Sequence, residues 1–138
     1  MEDLKNKIFK PVAAWISERA SSLSEIHRFP RCGIEAWLKV EAVYALSDMV
    51  KSVSNKGPDL TLTDGTKIEL KGATDFNAAY IREGCTKYGT PCLFLADGSK
   101  PEIVKNIENE EVKLIASQPI GEGSNKWIVG LAAPERFR

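Results

Sequence analysis

The stretch GPDLTLTDGTKIELK, residues 57–71, constrains this chain more than any other. Polar and apolar residues alternate on both sides of Asp64 and Gly65, the pattern of two half-buried strands folded back as a hairpin. Leu60, Leu62, Ile68 and Leu70 mark one face as core. Asp59, Glu69 and Lys71 fall on the other. Whether those three meet depends on register, because a one-residue slip sends every side chain to the wrong face. A two-residue Asp64-Gly65 turn would set Leu60 opposite Glu69 and mix the faces. A three-residue loop, Thr63-Asp64-Gly65, sets Leu60 opposite Ile68 and Asp59 opposite Glu69. Gly65 then takes the left-handed position of a type I turn with a bulge. The sequence therefore predicts the three-residue loop.

With 138 residues the chain is expected to form one domain with a real core. We divide it into an N-terminal helical segment (1–30), a motif-bearing core (34–97) and a helix and sheet extension (99–138). Nineteen basic residues balance nineteen acidic ones, so any nucleic-acid contact must come from a local patch rather than overall charge. No apolar run approaches the ~20 residues of a membrane span, and no signal peptide opens the chain. Cys32, Cys85 and Cys92 lack zinc-ligand spacing and read as reduced thiols of a cytoplasmic protein.

From Asp3 to about Leu23, apolar residues recur at helical spacing, with a disturbance expected at Pro11. His27 is the lone histidine and reads as structural, and Arg28 and Arg31 offer only a weak phosphate contact. A second helix is expected from about Gly33 to Val50. Ile34, Trp37, Leu38, Ala45 and Met49 mark its core side, while Glu35, Lys39 and Ser47 read as its wet side. Glu41 lies within the apolar face, where a carboxylate is costly unless something charged or hydrogen-bonding meets it. The carboxylates of the following hairpin make Glu41 the candidate site residue on this helix. Glu35 is the weaker one.

Two carboxylates at neighbouring strand positions form a hard oxygen site suited to Mg²⁺ or Mn²⁺ rather than zinc. A metal there can polarise a phosphoryl oxygen and acidify a bound water, and a lysine beside it can orient that water or offset charge on the phosphate. By residue type alone, a solvated face of surface ion pairs explains the same residues.

Pro58-Asp59, a hairpin and Glu69-Leu70-Lys71, preceded by a helix carrying Glu41, resemble the PD-(D/E)xK nuclease superfamily with its restriction-endonuclease-like fold. The resemblance covers about residues 34–97. It implies that Asp59 and Glu69 bind the divalent metal with the Leu70 carbonyl as a further ligand, that Lys71 is catalytic, and that Glu41 completes the acidic cluster. The family core has another strand between the first helix and the aspartate strand. Here that strand is either reduced to a few residues around Val53 or replaced by an end of the chain.

Further on, residues 72–89 read as a turn and a helix, capped at Thr74 or Asp75 and stopped by Gly89. In related nucleases this helix borders the active site, so the resemblance favours Arg82 or Lys87 as nucleic-acid contacts. The run from Cys92 to Ala96 reads as a strand buried on both faces and parallel to a neighbour. Ser99-Lys100-Pro101-Glu102 reads as a capping box opening a helix to about Asn109. Residues 112–117 and 126–132 complete the sheet, with Trp127 packing in the core. The expectation is an α/β domain with a central mixed sheet flanked by helices, acting as a metal-dependent nuclease on DNA. The alternative is a non-catalytic module of the same fold binding nucleic acid or a protein. A homodimer or a partner protein would supply substrate recognition.

Overall fold

The computed structural model describes residues 2–27, 33–72, 77–98, 102–121 and 126–135. Among these, the helices are α1 (Glu2–Leu4), a π-helical turn (Lys5–Phe9), α2 (Lys10–Ser17), α3 (Ala20–His27), α4 (Ile34–Leu46), α5 (Ala78–Thr86) and α6 (Glu102–Lys105). The strands are β1 (Val50–Val53), β2 (Leu60–Leu62), β3 (Lys67–Gly72), β4 (Cys92–Asp97), β5 (Val112–Ile120) and β6 (Trp127–Pro134). They form one mixed sheet of order β1-β2-β3-β4-β6-β5, in which β3 and β4 are parallel and the other pairs antiparallel. No helix of the described residues is long and apolar enough to cross a membrane.

Alternation along the strands divides the core in two. Leu60, Leu62, Ile68, Leu70, Leu93 and Leu95 point to one side of the sheet, against Val12, Ile16, Ile34, Trp37 and Leu38 of the α2 and α4 layer. Cys92, Phe94 and Ala96 point to the other, against Ile81 and Cys85 of α5 and Ile103 at α6. The β4 run is thus buried on both faces and pairs with β3 in parallel, as its continuous apolar sequence requires. Trp127 is buried in the core.

The hairpin adopts the three-residue loop. Leu60 pairs with Ile68, Leu62 N–H donates to the Thr66 carbonyl at 2.8 Å, and Gly65 N–H donates to the Leu62 carbonyl at 3.0 Å. Gly65 sits at φ +91°, a conformation that glycine adopts without a side-chain clash. Lys7 Nζ reaches Asp64 Oδ2 at 2.6 Å and Thr66 Oγ1 at 2.9 Å, pinning the N-terminal helix to the loop. Lys7 and the Thr66 N–H hold the Asp64 carboxyl well below the usual carboxylate range.

Three boundaries differ from expectation. The first helix is interrupted twice. Pro11 has no N–H to give, and the turn ahead of it widens to π form, with Lys10 N–H donating to the Lys5 carbonyl. Glu18 and Arg19 then separate α2 from α3. The second helix stops at Leu46 rather than Val50, because Ser47 takes φ +38° and a short 3-10 turn (Ser47–Met49) follows. The released residues form β1 (Val50–Val53), which pairs antiparallel with β2. Finally, α6 ends at Lys105, well before Asn109. Thr74 and Asp75, Ser99 to Pro101, Arg28, Arg31 and Cys32 lie outside the described residues. Within the described part of the chain, the cap of α5 is Asn77, whose side chain accepts the Tyr80 N–H at 3.1 Å.

Candidate active site

Asp59 enters at the start of β2 and Glu69 and Lys71 project from β3 beside it. The Leu60–Ile68 register puts Asp59 opposite the Glu69–Leu70 step, where its Oδ2 accepts the Leu70 N–H at 2.9 Å. N–H and C=O of one strand residue point to the same edge, so the Leu70 carbonyl is directed to the side on which Asp59 lies. Glu69 is only 6% exposed. Burial, together with hydrogen bonding and repulsion from the adjacent Asp59 carboxylate, pushes its carboxyl up to about 7. Lys71 works against that rise, from 3.8 Å away.

The Lys71 ammonium lies 4.4 Å from the centre of the Tyr80 ring on α5. Burial alone would lower its pKa, but Tyr80, Glu69 and Glu35 outweigh that and raise it. Burial and Glu35 also raise the Tyr80 phenol. Gly84 lets α5 approach this close. A methyl group there would meet Cys92 Sγ at 2.9 Å and the Lys71 side chain at 3.1 Å. Cys85 and Cys92 are buried free thiols behind this packing.

The helical carboxylate at this site is Glu35 rather than Glu41. Glu35 Oε1 accepts the Gly72 N–H at 3.1 Å and the Tyr80 hydroxyl at 3.2 Å. Its charge contributes to the raised value of Glu69. Glu41 instead accepts the Trp15 Nε1–H at 2.6 Å and faces Arg19 Nε at 3.5 Å. Six residues separate the two glutamates, roughly 120° around a helix. They flank opposite margins of a broad apolar stripe, one toward the end of β3 and the other toward the N-terminal helices. The partners that make Glu41 affordable on an apolar face are Trp15 and Arg19.

Lys39, read as solvent-facing, also belongs here. Its ammonium donates to the Ser54 carbonyl at 2.6 Å, Asn55 Oδ1 at 3.1 Å and Asp59 Oδ1 at 3.2 Å. Of the two expected nucleic-acid contacts, Arg82 lies roughly 200° around α5 from Tyr80 and donates to the Asn106 carbonyl beyond α6. It is thereby turned from the Asp59–Glu69 face. Lys87 shares the Tyr80–Gly84 stripe by spacing, is exposed, and sits 5.2 Å from the Tyr88 ring centre.

Among the described residues, no three or more His, Cys, Asp or Glu side chains gather in a metal-holding group. What the site does present is two adjacent carboxylates, one buried and holding its proton, with Glu35 near enough to influence it. That donor set fits a hard divalent cation, which relieves the repulsion that a proton otherwise relieves. Comparison with protein-family models, curated proteins and solved structures returned no match to this chain.

Proposed function

We propose that this chain is a divalent-metal-dependent nuclease of the PD-(D/E)xK type, hydrolysing nucleic-acid phosphodiester bonds, with DNA as substrate and Mg²⁺ or Mn²⁺ as cofactor. The observation that carries the reading is the meeting of Asp59, Glu69 and Lys71 on one face of adjacent strands, with Glu69 buried and holding its proton to about 7. The element order supports it as well: α4, β1, the aspartate strand β2, the Glu-x-Lys strand β3, then α5. The restriction-endonuclease-like core has this order of helix, strand, aspartate strand, Glu-x-Lys strand and helix.

When bound, the metal would polarise a phosphoryl oxygen and make a water nucleophilic near neutral pH. Asp59 and Glu69 would hold it, with the Leu70 carbonyl beside them. Glu69 would have to release its proton to serve as a ligand, leaving the carboxylate pair for the cation to neutralise. Lys71 remains charged, because its neighbours raise its pKa, and its position over Tyr80 fixes the ammonium toward Glu69. There it can donate to the attacking water or to the phosphate oxygen on which charge builds. Glu35, held by Tyr80 and the Gly72 N–H, keeps the Tyr80 ring beneath Lys71.

One observation favours a second reading, a non-catalytic module of the same architecture that binds nucleic acid or a protein partner. Both Asp59 oxygens are already engaged, by the Leu70 N–H and by Lys39. Cleavage separates the two readings. Labelled linear duplex, single strand, flap, four-way junction and RNA would each be incubated with Mg²⁺, Mn²⁺ or EDTA, alone and with Asp59→Ala protein. Metal-dependent cutting lost in Asp59→Ala supports the nuclease. Binding without cutting of any substrate supports the module, and a homodimer or recognition partner is then the next object of search.

A further inference from the structure

Glu41, drawn away from the candidate active site, organises a different feature. Its two partners are layered on each other: Arg19 Cζ lies 3.5 Å above the Trp15 ring centre. Trp15 in turn lies parallel to Tyr44, with 7° between the planes and 6.2 Å between centres. The Trp15 ring, fixed through its N–H by Glu41, backs Tyr44 and leaves it 64% exposed. Val40 at 53% and Val53 at 51% exposure lie with it along a groove of about 420 Å³. Lys39 and Asn55 also line that groove. Lys39 binds both Asn55 and Asp59, so groove and candidate active site share a wall.

We infer that this groove is a subsite for one unpaired nucleobase of the substrate, next to the phosphate that is cut. The inference rests on the nuclease reading and deepens it, naming single-stranded or locally unpaired nucleic acid as the substrate class. The exposed lining is one tyrosine flanked by Val40 and Val53, enough for one planar heterocycle, whereas a protein partner needs a far larger complementary face. An exposed tyrosine backed by a parallel indole offers a flat face on which any base can stack. Asn55, whose Oδ1 is held by Lys39, has its amide N–H groups for the base edge. A base inside an intact duplex is stacked on its neighbours and cannot enter a side groove of this size. The rival occupant is a second copy added along the open β1 edge. Lys51 is exposed on that edge, where a charged residue discourages strand addition.

The test is fluorescence anisotropy in EDTA, so that nothing is cut, with a labelled single strand and a blunt duplex of the same sequence. Wild type should prefer the single strand. Tyr44→Ala should weaken single-strand binding about tenfold, the scale of losing one stacked base, and Tyr44→Phe should preserve it. Val53→Asp, a change at an exposed position that sets a carboxylate in the groove, should weaken it too. Single-strand binding by Tyr44→Ala and Val53→Asp within about twofold of wild type would overturn the subsite. So would a wild-type dimer that Tyr44→Ala dissociates in sedimentation, which would make this face a self-interface. Cleavage that needs Lys71 but ignores Tyr44 overturns the subsite alone, whereas a chain that binds and cuts no nucleic acid overturns the nuclease reading with it.

Discussion

Replacing Glu69 by glutamine should make the protein more stable at pH 8, not less. In the folded chain the Glu69 carboxyl is pushed from an ordinary 4.5 to about 7, chiefly by burial and then by Asp59. Below about pH 4.5 the group is protonated whether the chain is folded or not, and it contributes no pH dependence. Between 4.5 and 7 the folded chain keeps a proton that the unfolded chain has released. Stability therefore falls as pH rises through this window, and the full cost is present above about 7. At ~1.4 kcal/mol per pH unit the ceiling is about 3 kcal/mol. Asp59 and Lys71 keep some contact with water, and screening there reduces the expected effect to about 1–2 kcal/mol. Glutamine fits the same space, cannot ionise, and donates its amide to Asp59. Urea unfolding of both proteins at pH 5, 6, 7 and 8, without divalent metal, reads this out as the difference between them. The low value of Asp64 costs both proteins stability in acid equally and cancels. The variant should match wild type near pH 5 and exceed it by about 1–2 kcal/mol at pH 8. Curves that stay parallel across the range would refute the buried carboxylate pair as the source of strain.

Glu41→Ala should cost about 1–3 kcal/mol of stability by stranding Trp15 and Arg19, with cleavage on a saturating substrate unchanged. Glu35→Ala, which removes the acceptor that holds Tyr80 beneath Lys71, should slow single-turnover cleavage by about tenfold or more. Gly84→Ala drives a methyl group against Cys92 and Lys71. It should lose about 1–3 kcal/mol in urea unfolding, together with cleavage rate. Lys39→Met removes the cation resting on Asp59, and calorimetry should find Mn²⁺ bound about fivefold more tightly. Unchanged affinity would mean that Lys39 does not compete for that oxygen.

The hairpin was legible because two independent constraints agree in it. The alternation of Leu60, Leu62, Ile68 and Leu70 fixes the buried face, and only a three-residue loop keeps all four there. With that register set, Asp59, Glu69 and Lys71 follow. The buried β4 run was legible for a similar reason, since its apolar residues feed two cores at once. Helix α4 was harder. Its apolar stripe is broad, and whether the sheet takes Glu35 or Glu41 depends on which margin the N-terminal helices cover. Trp15 and Arg19, some twenty residues upstream, decide that. The end of α4 was hidden because helical residues run into Val50 without a breaker, and the positive φ at Ser47 has no sequence signature. The Lys39–Asp59 contact and the packing of Tyr80 beneath Lys71 were invisible because both form only after α4 and α5 dock.

The most direct test of the central claim is single-turnover cleavage of the preferred substrate by wild type and Lys71→Ala at saturating Mg²⁺, with metal affinity measured on both. The account expects the variant to keep its metal and to lose about a hundredfold or more in rate. A Lys71→Ala protein that cuts as wild type does, or wild-type cutting that survives EDTA, would contradict it.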